Sequence, residues 1–322
     1  MKKHKTWQLS MLFLIATLLL ACQSTPKADL QASADITFAK QLAAAPKAFD
    51  QKIAFLLESN LGKSFAWAPL GESNHDFYDS KPSYRSDAFD CMTFVTTILA
   101  MSTAHDIHDF HRNMAWLNYH DGKQRFLKRR HFPSMDWNPA LMQKGLLKDI
   151  NTMLAKKVDP MMLKTQSAWI NKPHWYHTLH AKKVALASGK KINQHWQQDI
   201  ASLSGHHVKL AYVDKAYLKD PKNLEKLEQS LPDGASVIEW VIKRPKVFEA
   251  KIGSAMLIAH MGIVFKSKDK ANFYHAYWRA GKVIRLPFAY MVQKLPNSIA
   301  GISVYAIQAK PISQHALISS KP

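Results

Sequence analysis

The chain has only two cysteines in 322 residues, Cys22 and Cys91. So small a set excludes the disulfide framework of small secreted domains. Acidic residues are also scarce, 24 against 44 lysines and arginines, and the formal charge of +20 favours anionic partners. Nucleic acid is not the expected one, because no zinc-finger, helix-turn-helix or aromatic RNA-binding signature is present. There is no glycine-rich phosphate cradle, no GxSxG elbow and no fixed-period repeat. With no HExxH pattern, His174, His177 and His180 read as a solvated or packed helix face rather than a zinc site, so neither metal nor cofactor is expected. What is present is globular in character, 47% hydrophobic and 11% aromatic.

The apolar run Met11 to Leu20 is too short for a confident membrane span, and Lys2, Lys3 and Lys5 before it make residues 1–21 an export signal. Leu19-Leu20-Ala21-Cys22 resembles a bacterial lipobox, which implies cleavage before Cys22 and its lipidation. Several acyl chains would then anchor a protein with no transmembrane helix. Gln23 resembles the residue found in lipoproteins passed to an outer membrane, so the expected location is the cell envelope, at the outer membrane facing the periplasm. Residues 22–34 read as a flexible tether and 309–322 as a flexible tail.

The remainder, 35–308, divides in three. Phe38 to Leu61 has helical apolar spacing, Gly62 to Ser86 is loop-rich, and Cys91 to Met101 is helical again. From 105 to 233 short helices alternate with irregular aromatic-rich pieces. From Ser236 the pattern is strands: Ser236–Ile242, Ala255–Phe265, Ala271–Trp278, Lys282–Leu286 and Gly301–Gln308. Helices first and antiparallel strands later predict an α+β domain.

Cys91 would lie in the first turn of a buried helix capped by Asp87 or Asp90, where the helix dipole favours a negative sulfur. A buried structural cysteine is equally compatible with that position. Downstream, His260 and His275 fall on consecutive strands. A hairpin turn centred on Ser267-Lys268 puts them opposite each other, the geometry in which one imidazole acts as base and the other orients it.

Phe89-Asp90-Cys91-Met92-Thr93-Phe94-Val95, His260-Met261-Gly262-Ile263-Val264 and His275-Ala276 together resemble the NlpC-type papain-like cysteine hydrolases of bacterial cell walls. Leu61-Gly62, the stretch Arg130 to Trp137 and the terminal strands point to the N-acetylmuramoyl-L-alanine amidase-like branch, with the resemblance running from about residue 45 to 308. It implies a papain-like α+β fold, N-terminal helices packed on an antiparallel sheet, with a long helical and irregular insertion over 105–233 as a substrate lid. It also implies Cys91 as nucleophile, His260 as base, His275 as orienting residue, and peptidoglycan or its muropeptide fragments as substrate. The bond expected to be cut joins the muramic lactyl group to L-alanine. Two departures bear on substrate detail: Thr96 stands where the branch resemblance suggests an acid, and Ala235 where it suggests Asp.

In the insertion, Arg129, Arg130, His131, Asp136 and Trp137 would suit a sugar or peptide carboxylate, with a forked cation and an aromatic plate. A packed aromatic-basic loop is the competing reading. Two other functions fit the same residues: a D-glutamyl-diamino acid endopeptidase, and a non-catalytic wall-binding lipoprotein. The order Cys, His, His argues against the permuted acyltransferases of the superfamily.

Overall fold

The computed structural model describes residues 27–67, 69, 84–122, 126–186 and 200–309. The expected signal segment, Cys22 and the expected tail beyond residue 309 lie outside them. The stretch read as a tether is helix from Lys27 on: α1 spans Lys27–Ala44. It is tied down rather than loose, with Ala34 and Phe38 fully buried. Asp35 pairs with His111 at 2.7 Å, and the ring of Phe38 lies 4.9 Å from that of Phe110. The single helix expected from Phe38 to Leu61 is broken, and α2 begins at Phe49 and ends at Ser59. Pro46 sits in the gap, where its missing N–H and its steric effect on Ala45 stop a continuous helix. In α2 the residues Ile53, Leu56 and Leu57 form the buried stripe.

The helix expected at Cys91 is α3, Cys91–Ser102, in which every residue from Thr93 to Ser102 is buried. A helix enclosed on all sides is a core helix. It packs beside α4, Ile107–Asn118, and onto the strands of one large sheet.

That sheet has ten strands among the described residues; the first five are β1 (Ser64–Phe65), β2 (Ala88–Phe89), β3 (Leu147–Asp149), β4 (Leu163–Ile170) and β5 (His206–Asp214), and with β6 to β10 they lie in the order β2-β1-β9-β8-β7-β6-β10-β5-β4, with β3 also paired to β10. The five expected strands are β6 (Gly234–Ile242), β7 (Ile258–Ser267), β8 (Lys270–Tyr277), β9 (Lys282–Pro287) and β10 (Ile299–Ile307). All nine residues of β6 are buried, the signature of a central strand covered on both faces. Ala235, Val237, Met261 and Ile263 pack against the α1–α4 side, while Ile238, Trp240, Val264 and Phe273 pack on the other.

The segment 105–233 is not only helical and irregular. It contributes β4 (Leu163–Ile170) and β5 (His206–Asp214), which pair antiparallel over eight residues and extend the sheet beyond β10. It is therefore built into the scaffold as well as beside the site.

Candidate active site

At the start of α3, the Asp90 carboxylate accepts from the Thr93 N–H at 2.8 Å. The Thr93 hydroxyl accepts in return from the Asp90 N–H at 2.9 Å. This capping box satisfies two of the helix's orphan donors and selects Asp90 over Asp87 as cap. Asp87 is instead held by Arg85 at 2.6 and 2.9 Å.

Cys91 follows the cap, half-buried, packed against the core beneath α3. Backbone N–H groups of Met261, Met92 and Cys91 itself act on its sulfur in favour of the anion. Burial opposes them, and with the adjacent Asp90 charge it pushes the thiol up to about 12. The helix terminus therefore does not make a resting thiolate, contrary to what its position suggested.

Met261 directly follows His260 in β7, so the backbone that meets the sulfur belongs to the strand carrying the first histidine. His260 Nε2 and His275 Nδ1 lie 2.7 Å apart, both rings buried. The pair forms as expected, but through a different register. Ser267 pairs with Lys270, so the turn is Lys268-Asp269, with Lys268 at φ 55°. Continuing the ladder from Ile263 and Tyr274 sets His275 against Gly262, diagonal to His260 rather than directly opposite. A shift of two residues keeps both side chains on one face, and diagonal neighbours remain within reach of long side chains. Gly262 has a packing reason: a Cβ there would come within 2.5 Å of the Phe273 ring and 2.6 Å of the Tyr274 carbonyl oxygen.

The surroundings hold the imidazoles dry. Trp240 faces His260 across β6 and β7, its ring 4.5 Å away, and Tyr277 stacks on His275 at 4.9 Å. Burial holds both histidines far below the usual imidazole range, to about 3 for His260 and about 2 for His275, where His260 adds a repulsion. The resting site thus combines a neutral thiol with neutral imidazoles. Sequence reasoning did not identify Trp240 and Tyr277, which read only as apolar strand residues.

Beside the N-terminal half of α3 lies a cavity of about 190 Å³, bordered by Asp90, Thr96, Asn118, Arg129, Arg130 and His131. Arg130 and His131 therefore do border a space next to Cys91, but Arg130 is not a free fork. Its Nη1 donates to the carbonyls of Trp116, at 2.6 Å, and Tyr119, which closes the C-terminus of α4, and its charge lies over the Trp116 ring. His131 packs 4.6 Å from the Trp175 ring. Asp136 and Trp137 depart from expectation. Asp136 is buried in an ion pair with Lys172 at 2.8 Å, and Trp137 is fully enclosed in the core. Neither presents a surface to a ligand: here the packed-loop reading holds.

A thiol at a helix N-terminus, next to a hydrogen-bonded histidine pair shared between two adjacent strands, on a mixed α+β scaffold, defines the class. The sequence model of the AmiA-like family, N-acetylmuramoyl-L-alanine amidase-like, matches residues 58–302. The chain belongs to that family. No curated protein matches it in sequence. Among solved structures it is similar to a Legionella pneumophila protein of the DUF1460 family, with TM-score 0.74 at 24% identity, covering 88% of this chain and 97% of that one. It is also similar to an N-acetylmuramoyl-L-alanine amidase from Bacteroides uniformis, with TM-score 0.56 at 22% identity, covering 81% and 99%. A Bacteroides fragilis protein described as a xylanase matches with TM-score 0.53 at 22% identity, covering 78% and 99%. At such identities these likenesses establish a shared fold.

Proposed function

We propose that the protein is a cysteine-dependent N-acetylmuramoyl-L-alanine amidase of the NlpC-type, papain-like class, acting on peptidoglycan or its muropeptide fragments. Its lipidated Cys22 anchors it in the cell envelope, at the outer membrane facing the periplasm. The observation that carries the reading is the buried His260–His275 pair, with His260 on the strand whose Met261 backbone meets the Cys91 sulfur, in a chain of an amidase-like family.

In this reading His275 Nδ1 accepts from the N–H of His260 Nε2, which leaves His260 Nδ1 unprotonated and able to act as base. Because thiol and imidazole both rest neutral, the proton moves from sulfur to His260 as the sulfur attacks the lactyl carbonyl. The oxyanion is held by the backbone N–H at Cys91. Collapse breaks the C–N bond, and His260 returns the proton to the departing amine of L-alanine. Water, giving its proton to His260, then hydrolyses the thioester, frees the lactyl carboxylate and restores the thiol.

The test is Cys91→Ala. Purified wild type is expected to release peptides beginning with L-alanine from muropeptides, and the folded variant to release none. Equal release by the two proteins removes Cys91 from the reaction.

A further inference from the structure

In the histidine pair the orienting residue is itself hydrogen-bonded on one side only. His275 uses Nδ1 for His260, at 2.7 Å, while its other ring nitrogen, Nε2, is buried with no partner among the described residues. A base is held in place by a third group only if that group is fixed in turn. The torsion that turns an imidazole about its Cβ–Cγ bond is broad and two-fold, so one hydrogen bond at Nδ1 leaves the ring able to swivel. The plane of His275 needs another restraint.

The alternation of β8 supplies it. Phe273, His275 and Tyr277 stand two residues apart on one face of the strand, so an aromatic ring flanks the imidazole on each side. The Phe273 ring lies 4.7 Å from the imidazole at a tilt of 46°, and the Tyr277 ring lies 4.9 Å from it at 20°, nearly parallel. Phe273 is fully buried, and its ring fills the place that a Cβ on Gly262 would occupy. Tyr277 is half-buried at the end of β8, which makes it the outer wall of the clamp. Trp240 braces the group from β6, 4.5 Å from the His260 ring and 6.5 Å from that of Tyr277.

We propose that Tyr277 is a positioning residue: the flat face of its ring, and not its hydroxyl, fixes the plane of His275 and so, through the bond between the two imidazoles, the aim of His260. The inference rests on the amidase reading for the reaction that this alignment serves, and not for the clamp itself.

Two substitutions separate face from hydroxyl. Tyr277→Phe keeps the stack and should turn over muropeptides at the wild-type rate. Tyr277→Leu keeps apolar bulk without a flat face; its kcat should fall by about tenfold to a hundredfold with KM unchanged, the loss expected when a base is misaligned. Urea unfolding checks that each variant is folded, and Tyr277→Met takes the place of the leucine variant if that one is not. A smaller loss, a loss as large in Tyr277→Phe, or a loss carried by KM overturns the proposal. The hydrogen between the two imidazoles gives a readout without turnover, a buried N–H proton resonance identified by its absence in His275→Ala. It should be sharp in wild type and Tyr277→Phe and exchange-broadened in Tyr277→Leu. That pattern in a protein that cleaves no muropeptide supports the clamp and counts against the amidase reading alone. A resonance missing from wild type, or as sharp in Tyr277→Leu as in wild type, overturns the clamp.

Discussion

Replacing Glu239 by glutamine should stabilise the protein at alkaline pH and change it far less in acid. Glu239 is fully buried on β6, directly across from Met261 of β7. Its Oε2 accepts from Asn138 Nδ2 at 2.9 Å, while Oε1 has no partner among the described residues. Burial dominates over that bond and pushes the carboxyl from 4.5 up to about 8. The folded state therefore holds a proton that the unfolded chain releases above 4.5. Stability from this group is complete below 4.5 and is lost progressively as pH rises toward 8, with a ceiling of about 5 kcal/mol. Between pH 5 and pH 8 the loss is about 3 kcal/mol. A glutamine at this position is neutral throughout and keeps an acceptor for Asn138, so it escapes the loss. The difference between the two proteins should widen by about 3 kcal/mol from pH 5 to pH 8, or about 6 °C in Tm for a domain of this size. The titration of His260 and His275 at low pH is common to both and cancels in the difference. Urea unfolding of wild type and Glu239→Gln at the two pH values is the assay, and stability curves that run parallel refute the reasoning.

Two other expectations follow from the site. Arg130→Met removes the donor that closes α4 on the Trp116 and Tyr119 carbonyls and should cost about 2–4 kcal/mol, read as a lowered urea midpoint; an unchanged midpoint contradicts its capping role. Iodoacetamide labelling of Cys91, followed by peptide mass mapping, should rise about tenfold per pH unit between pH 7 and 9, because the thiol sits near 12. A rate already at its plateau near neutrality would show a resting thiolate–imidazolium pair instead.

The sequence made the centre of the molecule legible and its margins much less so. The five terminal strands and α3 could be read because their apolar periodicity is undiluted, and Asp90 is three residues before Thr93, the spacing of a cap. The histidine pair was legible because its two members fall on one face of adjacent strands, a parity that survives the two-residue error in register. Within 105–233 the strands β4 and β5 were missed. Their partners are each other across 35 intervening residues and β10 near the far end of the chain, and no local pattern encodes that. Arg130, Asp136 and Trp137 looked like ligand-binding residues by type. What assigns them to a helix cap, an ion pair and the core is contact with carbonyls and side chains 11 to 36 residues away. Glu239 was hidden for the opposite reason, as one acid in an otherwise apolar strand whose burial on both faces only the sheet reveals. The elevated thiol is likewise a property of enclosure and not of residue order.

The central claim is that this chain cuts the bond between the muramic lactyl group and L-alanine. Mass spectrometry of the products released by wild type from a defined muropeptide tests it most directly. The account predicts a free N-acetylmuramic acid-containing sugar and an intact peptide with L-alanine at its amino terminus. A product in which L-alanyl-D-glutamate remains on the sugar and the diamino acid is released would contradict it and make the protein an endopeptidase.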